Sequence, residues 1–118
     1  MPAGKNLWIR AGFPIGKNEV HLHYLVLAYA SDQYFLATAV NPLGMNFFSP
    51  KIKHYTTLDH TIWIHADTLD MNQWHFYRME TIKYQDERAL VIGKLYSHPN
   101  ASLVATVVQE GAIRIASL

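Results

Sequence analysis

The 118-residue chain is half hydrophobic and 13% aromatic, which excludes a disordered segment and is enough for one globular domain with one core. Ten basic and nine acidic side chains give a formal net charge of +1 without a block of like charge, so the chain has no electrostatic footprint for nucleic acid or an anionic membrane. From this balanced charge we expect a small or apolar ligand. Because cysteine is absent, disulfides, thiolate nucleophiles and thiolate metal sites are excluded.

The first predicted element is a strand within the run NLWIRAGFPI. Leu7 and Ile9 alternate there with Trp8, which is typical of a strand with one buried face. Glycines and prolines then punctuate the run, so we predict a turn before the next element.

A long helix is predicted over Glu19 to Val40. This segment contains neither glycine nor proline, and the NPLG sequence at Asn41 to Gly44 ends it. Because the segment is apolar almost all round, we expect the helix to be buried on most sides. The apolar residues at helical spacing are Leu22, Leu25, Val26, Tyr29 and Leu36.

Four strand-length runs with a period of two follow from Thr56 onward. They are TTLDHTIWIHA, WHFYRMETIKY, RALVIGKLYS and SLVATVVQEGAIRIA. The connections DTLDMNQ, QDE and HPN are hairpin-sized, so we predict an antiparallel meander. Both faces of the last run are apolar, which indicates that one face covers the helix while the other meets a second domain or subunit.

Three short blocks carry a resemblance to a known family. They are LAYASD (Leu27 to Asp32), TLDHTIWIH (Thr57 to His65) and VVQEGAIR (Val107 to Arg114). Together with NLWIRAGFPIG near the start, they make nearly the whole chain resemble the C-terminal half of the acyl-CoA thioesterase II family. The resemblance implies an α+β hotdog fold, in which an antiparallel β-sheet wraps a long central helix, and it implies that residues 1–118 form a single hotdog domain.

The same resemblance implies an activity and a site. Members of the family hydrolyse fatty acyl-CoA to free fatty acid and CoA. They activate the water with an Asp on the helix, a Thr or Ser before the LDH element, and the Gln of QEG. The matching residues in this chain are Asp32, Thr57 and Gln109. No cofactor is implied.

These residue types suit the chemistry. A carboxylate can accept a proton from water, while a hydroxyl and a carboxamide hold that water in line with a carbonyl carbon. We expect Asp32 to be buried in the helix, where a carboxylate must be hydrogen-bonded or kept for chemistry.

Each of the three residues also has a purely structural interpretation, which residue type alone favours. Asp32 could cap a second helix that begins at Ser31, or share a polar stripe with its neighbours. Thr57 is an ordinary strand residue, and a register slip of one would put Thr56 in its place. Gln109, near a predicted strand end, would simply be solvated. Only the joint match of three separated blocks favours a functional interpretation.

The histidines do not predict a metal site. His21 and His23 are two apart and point to different sides of a helix, while His60 and His65 lie on opposite faces of a strand. Asp59 and His60 look like a catalytic dyad, yet neighbours on a strand face opposite sides. The resemblance to the thioesterase family implies a structural or site-shaping role for both. His65 is expected to form a hydrogen bond across strands.

The expected partners follow from the single hotdog. Family members normally carry two hotdogs in one polypeptide, and a lone one exposes an apolar sheet face or edge. Besides the acyl-CoA substrate, we therefore expect a homodimer, a larger assembly, or pairing with an N-terminal hotdog half. An alternative hypothesis is an acyl-binding or assembly module that is inactive without its partner domain. A hydratase is a third hypothesis, although that class typically uses an Asp and His pair.

The expected location is peroxisomal or cytoplasmic. No run reaches the roughly 18 apolar residues of a membrane span, and MPAGKNLWIR lacks the apolar core of a signal peptide, so we expect a soluble protein. Eukaryotic relatives can end in a Ser-Lys-Leu peroxisomal address. Ser117 takes the place of the basic residue in this chain, which makes a poor signal.

Overall fold

A computed structural model of the chain describes residues 4–32 and 52–115. One helix packs there against one five-stranded sheet, in which every strand pair is antiparallel. The helix on an antiparallel sheet confirms the predicted fold class. The elements in chain order are β1 (Gly4–Ile9), α1 (Val20–Asp32), β2 (Ile52–Ile64), β3 (His75–Gln85), β4 (Arg88–Ser97) and β5 (Leu103–Ile115).

The strand order corrects the predicted meander. All five predicted strands are present, but the order across the sheet is β1-β3-β4-β5-β2, so only β3, β4 and β5 pair consecutively. β2 pairs with β5 rather than with β3, and β1 takes the free side of β3. The segment 65–74, although hairpin-sized, joins one edge strand of the sheet to a strand near the other edge. The length of a connecting segment therefore does not determine which strands pair in the sheet.

The core lies between α1 and the sheet. Along β5, residues 105, 107, 109, 111 and 113 are buried and the residues between them are half-buried, which is the period of two that a strand with one packed face requires. The buried apolar residues are Ile15, Leu27, Leu69, Met71, Tyr77, Met79, Ala89, Val91, Leu95, Val104, Ala105, Val107 and Ile113.

The helix is buried on one stripe only. His23, Leu27 and Ser31 follow one another at a spacing of four and face the sheet. Leu25 and Tyr29 are 62% and 72% exposed, so the prediction that most sides are buried is wrong for this chain by itself. A single sheet covers a single face of a helix, and the other apolar face is left open. Residues 33–40 of the predicted helix, including Leu36, lie outside the described residues.

The start of α1 is tied to the segment before β3. The N–H of Gly16 donates to the Glu19 carboxylate at 3.2 Å, one turn before the helix, which confirms the predicted start. The Asn72 side chain donates to Ile15 O at 2.8 Å and accepts from Ile15 N at 2.9 Å. The buried His23 accepts the backbone N–H of Met71 on Nδ1 at 3.1 Å. These bonds fix the N-terminal end of α1 on the sheet.

Candidate active site

Thr57 and Gln109 are in direct contact. The Gln109 amide Nε2 donates to Thr57 Oγ1 at 2.8 Å. Gln109 lies in the interior of β5 and is fully buried, so the structural alternative of a solvated residue at a strand end is wrong. A buried carboxamide must be hydrogen-bonded, and the Thr57 hydroxyl supplies one of its partners. The threonine that makes this bond is Thr57, the residue that the family pattern selects.

A β-bulge brings Thr57 and His60 to the same face of the sheet. In the register, Thr57 lies opposite Gly111, Asp59 opposite Glu110 and His60 opposite Gln109, so Leu58 is an extra residue on β2. Without that insertion, residues three apart on a strand face opposite sides. The bulge therefore places both side chains beside Gln109.

His60 connects Gln109 to the helix. Its Nδ1 contacts Gln109 Oε1, and its Nε2 lies 2.9 Å from Ser31 Oγ on the last turn of α1. The Ser31 hydroxyl donates to Ala28 O at 2.9 Å. Four side chains thus form one chain of contacts, from α1 through β2 and β5 to Thr57. The resemblance gave His60 only a site-shaping role, and no periodicity in the sequence indicated Ser31.

Asp32 lies beside this chain of contacts but is not bonded into it. It is the last described residue of α1 and is exposed, so the expected burial is wrong for this chain. Ser31 and Asp32 both belong to α1, and the residues from Gln33 onward that a second helix would occupy lie outside the described residues. Within residues 4–32 and 52–115, no hydrogen bond joins its carboxylate to Thr57 or Gln109. Asp32 is next in sequence to Ser31, which places it at the helix end that His60 contacts.

Tyr77 supports the same end of the helix from β3. Its hydroxyl donates to the backbone oxygen of Ser31 at 2.8 Å. Burial, with a smaller effect from the charge of Asp32, raises the pKa of Tyr77, so the phenol stays protonated and keeps donating. Gly93 makes room for this ring, because a Cβ there would lie 2.5 Å from Tyr77 Cε1.

The remaining polar candidates make structural contacts. Asp59 is exposed and accepts from the Thr61 hydroxyl at 3.4 Å, whereas His60 points to Ser31, so the two neighbours do not form a dyad. His65 contacts Thr106 Oγ1 on β5 at 2.9 Å, which confirms its predicted cross-strand bond. Within the described part of the chain, no three His, Asp or Glu side chains are grouped to hold a metal ion.

An apolar pocket runs between β1 and α1. Its volume is about 760 Å³, and its lining reaches Ala30, two residues before Asp32. The aromatic residues in its wall are Trp8, Phe13, Tyr29 and Trp74. Arg10 stacks on Trp74, with its guanidinium carbon 4.5 Å from the ring centre.

Solved structures define the class of the fold. A hot-dog-like protein from Thermanaerovibrio acidaminovorans superimposes with a TM-score of 0.65 at 11% identity, over 97% of this chain and 82% of that one. The acyl-CoA thioesterase II of Mycobacterium marinum superimposes with a TM-score of 0.81 at 29% identity, over 97% of this chain and 43% of that one. The protein has a hotdog fold.

The sequence comparison then gives the family. The acyl-CoA thioesterase family model matches residues 1–112, and the chain belongs to that family. Mouse acyl-coenzyme A thioesterase 8 is 35% identical over 108 residues, covering 92% of this chain and 32% of the relative. Acyl-CoA thioesterase 2 of Haemophilus influenzae is 32% identical over 116 residues, covering 97% of this chain and 38% of the relative. The chain therefore spans about a third of the length of these relatives.

Proposed function

We propose that the protein is an acyl-CoA thioesterase that hydrolyses fatty acyl-CoA to free fatty acid and CoA, with Asp32, Thr57 and Gln109 around the attacking water. Family membership supports the reaction. The observation that carries the site is the 2.8 Å bond between the buried Gln109 amide and the exposed Thr57 hydroxyl, at the helix end that bears Asp32. The apolar pocket between β1 and α1 supports an acyl substrate, and its lining residues do not include Asp32, Thr57 or Gln109.

In this mechanism the carboxylate of Asp32 is the general base. It takes a proton from water while the water oxygen bonds to the thioester carbonyl carbon. The tetrahedral intermediate then collapses, the carbon–sulfur bond breaks, and the CoA sulfur receives the proton from Asp32. Thr57 and Gln109 hold the water in line, so that less orientational freedom remains to be lost in the transition state. No covalent enzyme intermediate is required.

The geometry disfavours hydration as the alternative reaction. An Asp and His pair would have to act on one substrate atom, whereas the neighbours Asp59 and His60 point to opposite faces of β2. His60 is instead engaged with Ser31 and Gln109. The geometry therefore favours hydrolysis with a water activated by Asp32, Thr57 and Gln109 over hydration by an Asp and His pair.

A second hotdog unit completes the proposal. We assign residues 1–118 to one hotdog domain that resembles a C-terminal half and pairs with another copy or with an N-terminal half. β2 is thirteen residues long, and among the described residues no strand pairs with its outer edge. Large apolar side chains are exposed on β2 and on the open face of α1: Val20, Leu25, Tyr29, Tyr55, Leu58, Trp63 and Ile64.

Light scattering tests this pairing. A lysine at Tyr29 places a charge on the open helix face, and we expect Tyr29→Lys to lower the assembled fraction at a fixed protein concentration. The matched control is Ile82→Lys, because Ile82 is also exposed but lies on β3. A wild-type monomer at micromolar concentration, or equal effects of the two variants, would count against the proposed surface.

The activity is tested by thiol release from a panel of acyl-CoA substrates. Because the chain has no cysteine, a thiol reagent reports only the CoA that is produced. Hydrolysis supports the thioesterase proposal. If the folded protein releases no CoA in either its free or its paired form, the thioesterase proposal is wrong, and the alternative of an acyl-binding or assembly module takes its place.

The peroxisome and the cytoplasm are the proposed compartments. In the described residues no helix is long and apolar enough to cross a membrane. A yeast relative that is 30% identical over 101 residues is named a peroxisomal acyl-coenzyme A thioester hydrolase. A fluorescent fusion to the N-terminal side of the protein tests the two compartments, and co-localisation with a peroxisomal marker would select the first.

A further inference from the structure

We propose that the apolar pocket between β1 and α1 is a binding site for a free fatty acid, with the acyl chain in the pocket and the carboxylate on Arg10. This site is separate from the residues placed around the attacking water, so it goes beyond the hydrolysis itself. It rests on the proposed function only for the source of the acid, because hydrolysis of a thioester releases one together with CoA.

The pocket has the size and the walls of a site for an acyl chain. Its volume of about 760 Å³ lies within the range of about 300–1,000 Å³ that is usual for sites of small ligands. Leu7 and Phe13 contribute to the wall formed by β1 and the segment after it, and Leu22 and Val26 to the wall formed by α1. An apolar chain that enters the pocket is therefore removed from water on both sides.

Arg10 is the only charged residue among the described residues that line this pocket. It directly follows β1 and is exposed, so it lies where the pocket meets solvent. Its guanidinium stacks on Trp74, which also lines the pocket, and no carboxylate in the described part of the chain forms an ion pair with it. The stack restricts the guanidinium before any ligand binds, so less side-chain freedom is lost when it binds a carboxylate.

The ligand that this arrangement fits is an amphiphile with one apolar chain and one anionic head. A fatty acid has this form, because its carboxylate can accept two parallel hydrogen bonds from a guanidinium. An acyl thioester has an equally apolar chain, but its carbonyl group is uncharged. Arg10 therefore favours the released acid over the thioester as the occupant of this pocket.

The pocket is apart from the candidate active site. In the described sheet, β1 and β2 are the two edge strands, four strand spacings or about 19 Å from each other. The pocket lies against β1, whereas Thr57 and Gln109 are on β2 and β5. An acid bound to Arg10 therefore does not contact these two residues.

Equilibrium binding to the assembled, full-length protein tests the proposal. The ligands are saturated fatty acids from octanoic to hexadecanoic acid, each compared with the alcohol of the same chain length. Each added CH₂ that enters the pocket should tighten binding by about 3- to 4-fold until the pocket is full. At each length the acid should bind about 5-fold more tightly than the alcohol. Equal affinities for acid and alcohol, or no binding of either, would overturn the proposal.

Substitution of Arg10 tests the carboxylate contact. Arg10→Gln should weaken binding of the acid by about 5-fold and leave binding of the alcohol within about 2-fold. Arg10→Lys keeps the charge without the planar fork and should be intermediate; it carries the comparison if the unfolding midpoint shows that Arg10→Gln is not folded. The matched control is Arg78→Gln, because Arg78 is also exposed but lies on β3 outside the pocket. Equal effects of Arg10→Gln and Arg78→Gln would contradict the assignment.

Tryptophan fluorescence locates the bound chain. Trp8 and Trp74 line the pocket, whereas Trp63 lies on β2 at the other edge of the described sheet. A fatty acid with bromine on its chain quenches the tryptophans that it contacts. Quenching should therefore persist in Trp63→Phe and decrease in Trp8→Phe. The reverse pattern would locate the acid beside β2 and overturn the proposal.

Two results distinguish the fatty-acid site from the pairing surface and from the hydrolysis. Leu25 and Tyr29 belong both to the pocket and to the proposed pairing surface. If a second hotdog unit fills the pocket, the assembled protein will bind no fatty acid, and this result overturns the fatty-acid site alone. If the protein binds the acid through Arg10 but releases no CoA from any acyl-CoA, the proposed hydrolysis is refuted and the fatty-acid site is retained.

Discussion

Each end of α1 is held by a histidine, and the two histidines are bonded differently. At the N-terminal end, His23 accepts a backbone N–H from Met71, and this bond ends in the main chain. At the C-terminal end, His60 joins Ser31 to Gln109, and the contacts continue to the exposed hydroxyl of Thr57. A bond that ends on buried backbone satisfies the fold, whereas a chain of side chains that reaches the surface beside a carboxylate is suited to chemistry. Changes at the first end should cost stability, and changes at the second should cost rate.

The largest expected difference concerns the threonine pair on β2. Thr57→Val keeps the size of the side chain and removes the hydroxyl that Gln109 contacts. We expect kcat for acyl-CoA hydrolysis to fall by about 10²-fold, because the water loses an orienting partner. Thr56→Val is the neighbouring control and should stay within about 3-fold of the wild type. Equal losses in the two variants would break the distinction between the two residues.

A stability loss without a rate loss is expected at the other end of the helix. His23→Ala leaves the buried Met71 N–H without its acceptor, which should lower the free energy of unfolding by about 1–3 kcal/mol. The urea midpoint measures this change, and His21→Ala is the control because His21 is exposed. If kcat of the folded His23→Ala protein fell as far as that of Thr57→Val, the two ends would not differ in the way described.

The smallest expected effect is the alkaline pH dependence of stability. Burial, aided by the Asp32 charge, raises the pKa of Tyr77 above its unfolded value near 10. The unfolded state then loses the proton first, so the stabilisation from Tyr77 is complete below about pH 10 and declines as the pH rises further. Tyr77→Phe should reduce the slope of the unfolding free energy against pH in this range by at most ~1.4 kcal/mol per pH unit. If the unfolding free energies of the wild type and Tyr77→Phe have the same slope against pH, the pKa of Tyr77 is not raised by burial.

The elements of the fold were predictable from the sequence because their periods are local. The alternation of β5 and the run RALVIGKLYS gave strands at the observed places, with β4 at Arg88–Ser97. The order of the strands was not predictable in the same way, because the pairing of β2 with β5 depends on contacts between residues that are far apart in the chain. The exposure of Tyr29 was also missed, because an apolar helix looks alike whether a sheet or a second subunit covers it.

The candidate site was predictable only in part. The family pattern selected Thr57 and Gln109, and the structure brings their side chains together. The role of His60 depends on the bulge at Leu58, which moves two residues three apart to one face, and a period-two pattern cannot show such an insertion. The role of Ser31 was not predictable for a similar reason. A serine in a helix indicates no function until its contact with His60 on the sheet is known.

The central claim is that Asp32 activates the water, and one pair of variants tests it most directly. Asp32→Asn and Asp59→Asn each remove one exposed carboxylate, the first at the end of α1 and the second on β2 facing away from Gln109. Thiol release from acyl-CoA should show a fall in kcat of about 10²-fold or more for Asp32→Asn, and a change of less than about 3-fold for Asp59→Asn. Activity that survives in Asp32→Asn would contradict the account and move the general base to another residue.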